Sequence, residues 1–244
     1  MSVEALVDEA RFRTREVGAL ARLKGAIAFR SRRRRAELFF SIFATTEDTR
    51  VLDLGGGKGR HFAKHYAAIR NVWIGDYDTS ALDFAERHFG YRTVPLDGTE
   101  TLPLSDGEFD IIFCSSVIEH VTGPKADAVA LFKRDGARFR TQAFAYQQRF
   151  ADEIRRSSKS YFVQTPFRFF PVEVHSWIPL LGFLPTHLQW RIIKVFNRFW
   201  PRKDDRPDWS LLTETEMRQL FPDAEIHRET FFGLTKSLIA IRRS

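Results

Sequence analysis

The chain has 244 residues, of which 43% are hydrophobic, with a formal net charge of +7 and a pI near 9.7. This length and apolar content exclude a disordered chain and suit one α/β domain with additions and a sizeable core. The basic excess fits an anionic partner, whether nucleic acid, a membrane surface, or a phosphorylated or carboxylated substrate, and does not choose among them.

Targeting signals are not apparent in the sequence. No apolar stretch reaches the roughly 18 residues of a membrane-spanning helix. The first residues, MSVEALVDEARFR, mix acids and bases and do not fit a secretory signal. The single cysteine, Cys114, cannot form an internal disulfide, which fits a reducing compartment. We therefore predict a cytoplasmic protein.

The amino-terminal part predicts a helical extension over residues 1–47, followed by the main domain at 48–244. Apolar side chains recur at roughly the helical period through residues 2–30. The basic run RSRRRR at residues 30–35 is interpreted as a solvated helix face. An address signal, a phosphate contact and a membrane anchor point remain alternatives.

The most informative stretch is residues 51–60, VLDLGGGKGR, in which a short apolar run meets four glycines. It predicts a strand, a tight turn and then a helix over HFAKHYAAI, whose first amides face whatever the turn holds. Glycines at every second position, Gly55, Gly57 and Gly59, allow unusual dihedrals and close approach of a ligand. The third glycine of the dinucleotide pattern G-x-G-x-x-G is missing. The alternative is a glycine turn without a ligand.

The pattern Asp53-x-Gly55-x-Gly57-x-Gly59 resembles motif I of class I S-adenosylmethionine-dependent methyltransferases. The resemblance implies a Rossmann-like α/β fold, with a seven-stranded, mostly parallel sheet whose last strand is antiparallel. It also implies S-adenosylmethionine as cofactor and S-adenosylhomocysteine as product. In that family the turn lies under the methionine part of the cofactor, and the acid orients the loop and the ligand's ammonium group.

Acids also follow the next two predicted strands. NVWIG is predicted as the second strand and ends at Asp76, which by resemblance matches the family's ribose-binding acid, with Asp78 as the fallback. Thr79 or Ser80 is predicted to cap the following helix.

YRTVP is predicted as the third strand. By resemblance Asp97, with Gly98 beside it, takes the contact with the adenine amino group.

FDIIFCSS is predicted as a fourth strand, buried on both faces, and leads into the position of the family's motif IV, which flanks the transferred methyl group. By resemblance Ser115 contributes to the cofactor site. Enzymes that methylate base amino groups commonly carry an acid or Asn followed by Pro-Pro and an aromatic here, and this chain does not. A Glu-His pair, here Glu119 and His120, is frequent in small-molecule methyltransferases. His120 is a candidate general base, or a polar residue that holds a helix start.

A basic crossover helix with a break at Gly136 precedes the predicted fifth strand, SKSYFVQTP. Composition then shifts: residues 161–200 hold eleven aromatics, one acid and four prolines, which predicts an insertion at about 166–209. Within it, FFPVEVH resembles a feature of type 11 methyltransferases that accompany surface-polysaccharide genes. Glu173 and His175 are predicted near the carboxyl end of the fifth strand, facing the same crevice as His120. Contact with the acceptor, a catalytic base and structural hydrogen bonding remain open for them.

Residues 186–200 are amphipathic at helical spacing. One stripe is basic and consists of His187, Arg191, Lys194 and Arg198. The other is apolar and consists of Leu188, Ile192, Val195 and Phe199. Such a helix either contacts a membrane surface or forms a lid on its own domain.

The carboxyl-terminal residues predict a helix and a hairpin. Thr213 is the predicted N-cap, with Glu216 completing a capping box. AEIHRETFFG and LTKSLIAIRR predict the last two strands. The loop PRKDDRPDW before them closes the insertion.

We therefore predict a methyltransferase that modifies an oxygen of a small-molecule, glycan or lipid-linked acceptor. RNA is the alternative acceptor, and a non-catalytic cofactor-binding scaffold is the alternative class. We predict no metal: His61 and His65 are four residues apart but lack a third ligand at a suggestive spacing, and paired cysteines are absent.

Overall fold

The computed structural model describes residues 19–98, 101–173, 175–199 and 208–244. Its centre is one seven-stranded sheet in the order β3-β2-β1-β4-β5-β7-β6. The strands are β1 Val51–Leu54, β2 Val72–Asp76, β3 Arg92–Pro95, β4 Phe109–Ser115, β5 Ser158–Pro166, β6 Glu225–Phe231 and β7 Leu234–Arg242.

The sheet is parallel except at its last strand. β1 pairs in parallel with β2 and β4, and β5 continues the parallel part. β7 runs antiparallel to both of its neighbours, β5 and β6. The predicted seven-stranded sheet with a reversed last strand is confirmed. Because parallel strands share one carboxyl edge, the residues that follow β1, β2, β3, β4 and β5 come together there.

Helices cover both faces of the sheet. Within the described residues they are α1 Ala19–Ile42, α2 Arg60–His65, α3 Thr79–Phe89, α4 Lys125–Arg134, α5 Gly136–Ser157, α6 Thr186–Phe199 and α7 Glu214–Leu220, with 3-10 turns at Ile118–His120 and Leu181–Phe183. The helices α1, α2 and α3 pack on one face, and α5 and α7 on the other.

Apolar burial explains why the amino-terminal helix belongs to the same core as the sheet. Phe39 of α1 is fully buried, with its ring 6.0 Å from that of Phe113 and 5.8 Å from that of Phe162. The first part of the predicted extension, residues 1–18, lies outside the described residues.

The basic run is only partly a solvated face. Residues 32–34 are exposed, whereas Arg35 is buried. Arg35 donates to Glu229 Oε2 (3.1 Å), Gln164 Oε1 (2.8 Å) and Ser115 Oγ (3.3 Å). The predicted solvated face is therefore wrong at Arg35, because that residue points toward the ends of β4, β5 and β6.

The helix after the glycine turn is shorter than predicted. It ends at His65 rather than running through HFAKHYAAI, because Tyr66 leaves the helical dihedrals at φ −126° and its ring is fully buried. The predicted break at Gly136 separates α4 from α5, and the capping box of Thr213 and Glu216 on α7 is confirmed.

The predicted cap of α3 is wrong. Asp78, rather than Thr79 or Ser80, is the N-cap, and its Oδ1 accepts from the backbone N–H groups of Ser80 (3.0 Å) and Ala81 (3.2 Å). The Asp78 carboxylate is engaged in capping, a role for which short oxygen-bearing side chains are suited.

The amphipathic segment forms α6, which packs on the domain through Ile193 against Ile178. Val195, in the predicted apolar stripe, is 58% exposed, and its neighbour Phe196 is 48% exposed, so the stripe is not buried on the domain at that position. The side chains of Arg198 and Phe199 and most of the loop PRKDDRPDW lie outside the described residues. None of the described helices has the length and apolar character to cross a membrane.

Candidate functional site

The glycine turn joins β1 to α2 through backbone conformations that favour glycine. Gly55, Gly57 and Gly59 have φ values of 77°, 54° and 67°. A methyl group added to Gly55 would collide with Val117, whereas one added to Gly57 would meet nothing nearer than Asp76 Oδ2, at 3.9 Å. The turn is therefore closed on the Val117 side and open at Gly57.

Asp76, at the end of β2, holds the glycine turn in place. Its Oδ2 accepts from the backbone N–H of Gly57 (2.9 Å), and its Oδ1 accepts from that of Asp78 (3.0 Å). Each carboxylate oxygen can accept more than one hydrogen bond, so capacity remains for a hydroxyl donor.

Asp53, within β1, is buried beneath the same turn. Its Oδ2 finds no hydrogen-bond partner within the part of the chain that the structure describes. Burial, with a smaller contribution from the Asp76 carboxylate, raises the pKa of Asp53 to about 7. A buried carboxylate oxygen without a partner is costly, and a cationic or hydrogen-donating ligand group would compensate it.

Asp97 and Gly98 lie just beyond β3, at the edge next to Asp76. The register of the two strands pairs Asp76 with Pro95, which places Asp97 two residues past that point. Asp97 and Gly98 are exposed, and Gly98 has a φ of 78°. The three acids named for the cofactor thus lie at or just beyond the carboxyl ends of the neighbouring strands β1, β2 and β3.

The end of β4 is tied to β5 and to α1. Ser115 Oγ donates to Gln164 Oε1 (2.7 Å) and accepts from Arg35 (3.3 Å). Ser116 follows in a left-handed conformation, φ 59°, which costs energy for a residue other than glycine and is common at functional sites.

Three side chains with metal- or proton-binding atoms meet just past this point. Glu119, His120 and His175 offer such atoms within 4.8 Å of one another. The rings of His120 and His175 lie 5.0 Å apart between centroids, at 87° to each other. The insertion thus brings His175 to the motif IV position, although 55 residues separate the two histidines in the chain.

Each histidine ring is held by a carboxylate. His120 Nδ1 lies 3.3 Å from Asp208 Oδ1, and His175 Nδ1 lies 2.8 Å from Glu173 Oε1. Trp209 stacks on the His175 ring at 4.8 Å.

The pKa values at this cluster follow its burial and pairing. Burial opposes a charged His120, but hydrogen bonding to Asp208 and the Glu119 charge outweigh it and raise the pKa of His120. Burial raises the pKa of Glu119 although both histidines oppose the shift. The pKa values of Glu173 and Asp208 are lowered, because their histidine partners outweigh burial.

Sequence reasoning did not identify Asp208, Trp209 or Arg35 as part of this region. Asp208 lies 88 residues from His120 in a polar loop, where an acid has no distinguishing local pattern. His61 and His65 lie apart from the cluster, and burial, with help from Arg32, lowers the pKa of His61 to about 3.

Comparison with known protein families gives a match for one segment of the chain. Residues 51–134 match the family described as "Methyltransferase domain". No curated protein matches the chain.

Among solved structures, a chain of the Haloferax volcanii complex between the Trm112 methyltransferase activator and its candidate methyltransferase partner is 13% identical, with a TM-score of 0.50 over 91% of this chain and 92% of that one. A SAM-dependent methyltransferase from Aquifex aeolicus is 15% identical, with a TM-score of 0.45 over 84% and 88% of the two chains. A Thermotoga maritima protein described as a possible histamine N-methyltransferase is 13% identical, with a TM-score of 0.49 over 85% and 87%. At these identities the likeness concerns the fold alone.

Proposed function

We propose that this chain, whose residues 51–134 match the family described as "Methyltransferase domain", transfers a methyl group from S-adenosylmethionine to an oxygen of a small-molecule, glycan or lipid-linked acceptor. Two features of the turn support this cofactor. The turn is open at Gly57, and the buried Asp53 Oδ2 has no hydrogen-bond partner among the described residues.

The residues at the carboxyl edge fit this cofactor. Asp53 is suited to the ammonium group, and Asp76, which also fixes the turn, to the ribose hydroxyls. Asp97 and Gly98 stand where the adenine contact is expected by resemblance. When bound, S-adenosylmethionine supplies a methyl group already activated by the sulfonium charge, so the protein has to align the acceptor, exclude water and accept a proton.

The acceptor side of the site is the histidine cluster. Since Asp208 and Glu173 engage the Nδ1 atoms of His120 and His175, Nε2 is the atom of each ring that would accept the proton of an acceptor hydroxyl. His120 or His175 would take up the proton of the acceptor hydroxyl as its oxygen receives the methyl group, and the cofactor would leave as a neutral thioether.

The insertion supports an amphiphilic or glycan acceptor. α6 exposes Val195 and Phe196 beside the basic residues Arg191 and Lys194, a combination suited to an anionic or lipid-linked molecule at a membrane surface. The segment FFPVEVH resembles a feature of type 11 methyltransferases that accompany surface-polysaccharide genes. This segment contains Glu173 and His175 of the site.

RNA is the second candidate acceptor, favoured by the net charge of +7. Binding to RNA that falls steeply with salt, without binding to liposomes, would favour it. A non-catalytic scaffold would bind S-adenosylmethionine without turnover.

The test is formation of S-adenosylhomocysteine with a panel of hydroxyl-bearing acceptors, followed by mass spectrometry of the product. We expect a mass gain of one methylene on an oxygen. His120→Ala should lower turnover by about 100-fold while S-adenosylmethionine affinity is retained. Cofactor binding without turnover on any acceptor would contradict catalysis and favour the scaffold.

A further inference from the structure

The cluster of Glu119, His120 and His175 has the composition of a metal site. Among the described residues, this group of His and acidic side chains has its ligand atoms within 4.8 Å of one another. Two imidazoles and one carboxylate are a ligand set that zinc and other divalent transition ions use in enzymes. The three residues come from two places in the chain, the 3-10 turn after β4 and the insertion after β5.

The two histidines are oriented as metal-binding histidines usually are. The Nδ1 atoms of His120 and His175 lie at hydrogen-bond distance from Asp208 and Glu173, respectively. Such outer carboxylates fix the ring orientation and the tautomer of a ligating histidine and leave Nε2 for the ion. Trp209, stacked on the His175 ring, restricts it further.

Glu119 supplies the observation that points to a ligand. Its side chain is fully buried, and Oε2 accepts a hydrogen bond from Thr165 Oγ1 (3.0 Å). Its Oε1 is buried as well and meets no donor in the described part of the chain. A buried carboxylate oxygen in this state costs free energy that a bound cation would offset.

Charge balance is compatible with a divalent ion. In a metal-bound site, where the ligating imidazoles are neutral and the ligating carboxyl is ionised, Glu119, Glu173 and Asp208 carry three negative charges. Lys125, 3.3 Å from Asp208 Oδ2, balances one of them. Two negative charges are left for an ion to neutralise.

We propose that Glu119, His120 and His175 bind a divalent transition-metal ion, with Asp208 and Glu173 as the outer carboxylates. Tetrahedral coordination at about 2.1 Å requires ligand atoms about 3.4 Å apart, so ligand atoms that now lie within 4.8 Å of one another would approach by up to about 1.4 Å on binding the ion. The side chain of His120 is 36% exposed and has room for this movement.

The role of the ion rests on the proposed methyl transfer, whereas its binding does not. An ion at this position would act as a Lewis acid toward the acceptor oxygen and lower its pKa. The acceptor hydroxyl, with its pKa lowered, would lose its proton to solvent water before methyl transfer. The two imidazoles would then be ligands rather than bases, and the loss of turnover on removing His120 would reflect loss of the ion.

The test is calorimetric titration of metal-stripped protein with Zn²⁺, paired with the visible absorption of Co²⁺ as a report on coordination. We expect one ion per chain. Glu119→Gln and His175→Gln should each weaken binding by at least about 100-fold, more than the roughly 10- to 100-fold expected for the outer Asp208→Asn. His227→Gln, an exposed histidine on β6, is the control and should bind as the wild type does.

Thermal unfolding separates lost ligation from lost folding. Zn²⁺ should raise the Tm of the wild type and of His227→Gln, and leave that of a folded Glu119→Gln protein unchanged. Equal Zn²⁺ affinity in the wild type and in folded Glu119→Gln and His175→Gln would overturn the proposal. Turnover that survives in protein shown to be metal-free would remove the ion's catalytic role but leave methyl transfer standing. Absence of S-adenosylmethionine binding would sink the methyltransferase function without touching the Zn²⁺ result.

Discussion

At the scale of single residues, the two aspartates of the glycine turn differ in what they contact. Each carboxylate oxygen of Asp76 accepts a hydrogen bond from a backbone N–H, that of Gly57 or that of Asp78. These two bonds stabilise the conformation of the turn. Asp53 is buried with Oδ2 unmatched within the described residues, and the pKa of its carboxyl is raised to about 7. Asp76 therefore stabilises the conformation of the turn, and Asp53 is the acid suited to bind a positively charged ligand group.

This difference predicts a pH dependence of cofactor affinity. An ammonium group pairs with the ionised form of Asp53, so S-adenosylmethionine should bind more weakly as the pH falls below about 7, by roughly tenfold per unit. Near pH 7 binding should release a fraction of a proton, measurable by calorimetry in two buffers of different ionisation enthalpy. Asp53→Asn should bind weakly and without this pH dependence. A pH-independent wild type would contradict the assignment.

The sign for folding stability is the opposite. The pKa of Asp53 is raised in the folded protein above its usual 3.8, so the folded state holds more protons than the unfolded state between about pH 4 and 7. The contribution of Asp53 to the free energy of unfolding therefore falls as pH rises through that window. Asp53→Asn removes this term, and bound cofactor offsets it.

Residue roles were only partly predictable from the sequence. The spacing to the following helix favours Asp76 over Asp78 as the ribose-binding acid, and in the structure Asp78 caps that helix. Arg35 stood among exposed arginines with nothing in its local pattern to single it out. Its burial depends on Glu229 in β6, 194 residues away.

At the scale of elements, Arg35 links α1 to the ends of β4, β5 and β6. It reaches Ser115, Gln164 and Glu229, all at the sheet edge near the candidate acceptor site. The amino-terminal helix is therefore fixed to the functional edge by a buried polar contact as well as by the aromatic packing of Phe39.

Removing this contact should destabilise the protein strongly. Arg35→Ala leaves Glu229 buried without its partner and should lower the free energy of unfolding by about 3–5 kcal/mol. Arg34→Ala, on the exposed face of the same helix, should change it by less than about 0.5 kcal/mol. Urea unfolding measures both. Equal stabilities of the two variants would show that the buried pair does not anchor α1.

The exposed end of α6 should contact anionic amphiphiles. Co-sedimentation with vesicles of anionic phospholipid should fall when Val195 and Phe196 are both changed to Gln, because they are the exposed apolar residues beside Arg191 and Lys194. Phe232→Gln is the matched control, because Phe232 is 91% exposed in the β6–β7 turn. This variant should sediment with the vesicles as the wild type does. Wild-type protein that does not sediment with vesicles would favour a lid.

At the scale of the whole molecule, the sheet was predictable, and so was the meeting of His120 and His175 in one crevice. The positions of the strands follow from local apolar runs bounded by turns, and the glycine pattern marks where the first strand ends. The order of the strands in the sheet follows from the family resemblance. The contacts of Asp208 with His120 and of Trp209 with His175 were not predictable, because both residues lie in an irregular stretch far along the chain from the His120 turn. Such contacts depend on packing of the insertion, which periodicity does not encode.

The central claim is that the carboxyl edge of β1, β2 and β3 binds S-adenosylmethionine, and isothermal titration calorimetry tests it most directly. The wild type should bind one equivalent, and Asp76→Ala, checked for folding by its circular dichroism, should lose at least about tenfold in affinity, or 1.4 kcal/mol. Asp83→Ala, an exposed acid on α3, should bind as the wild type does. A wild-type protein that binds no S-adenosylmethionine would contradict the account.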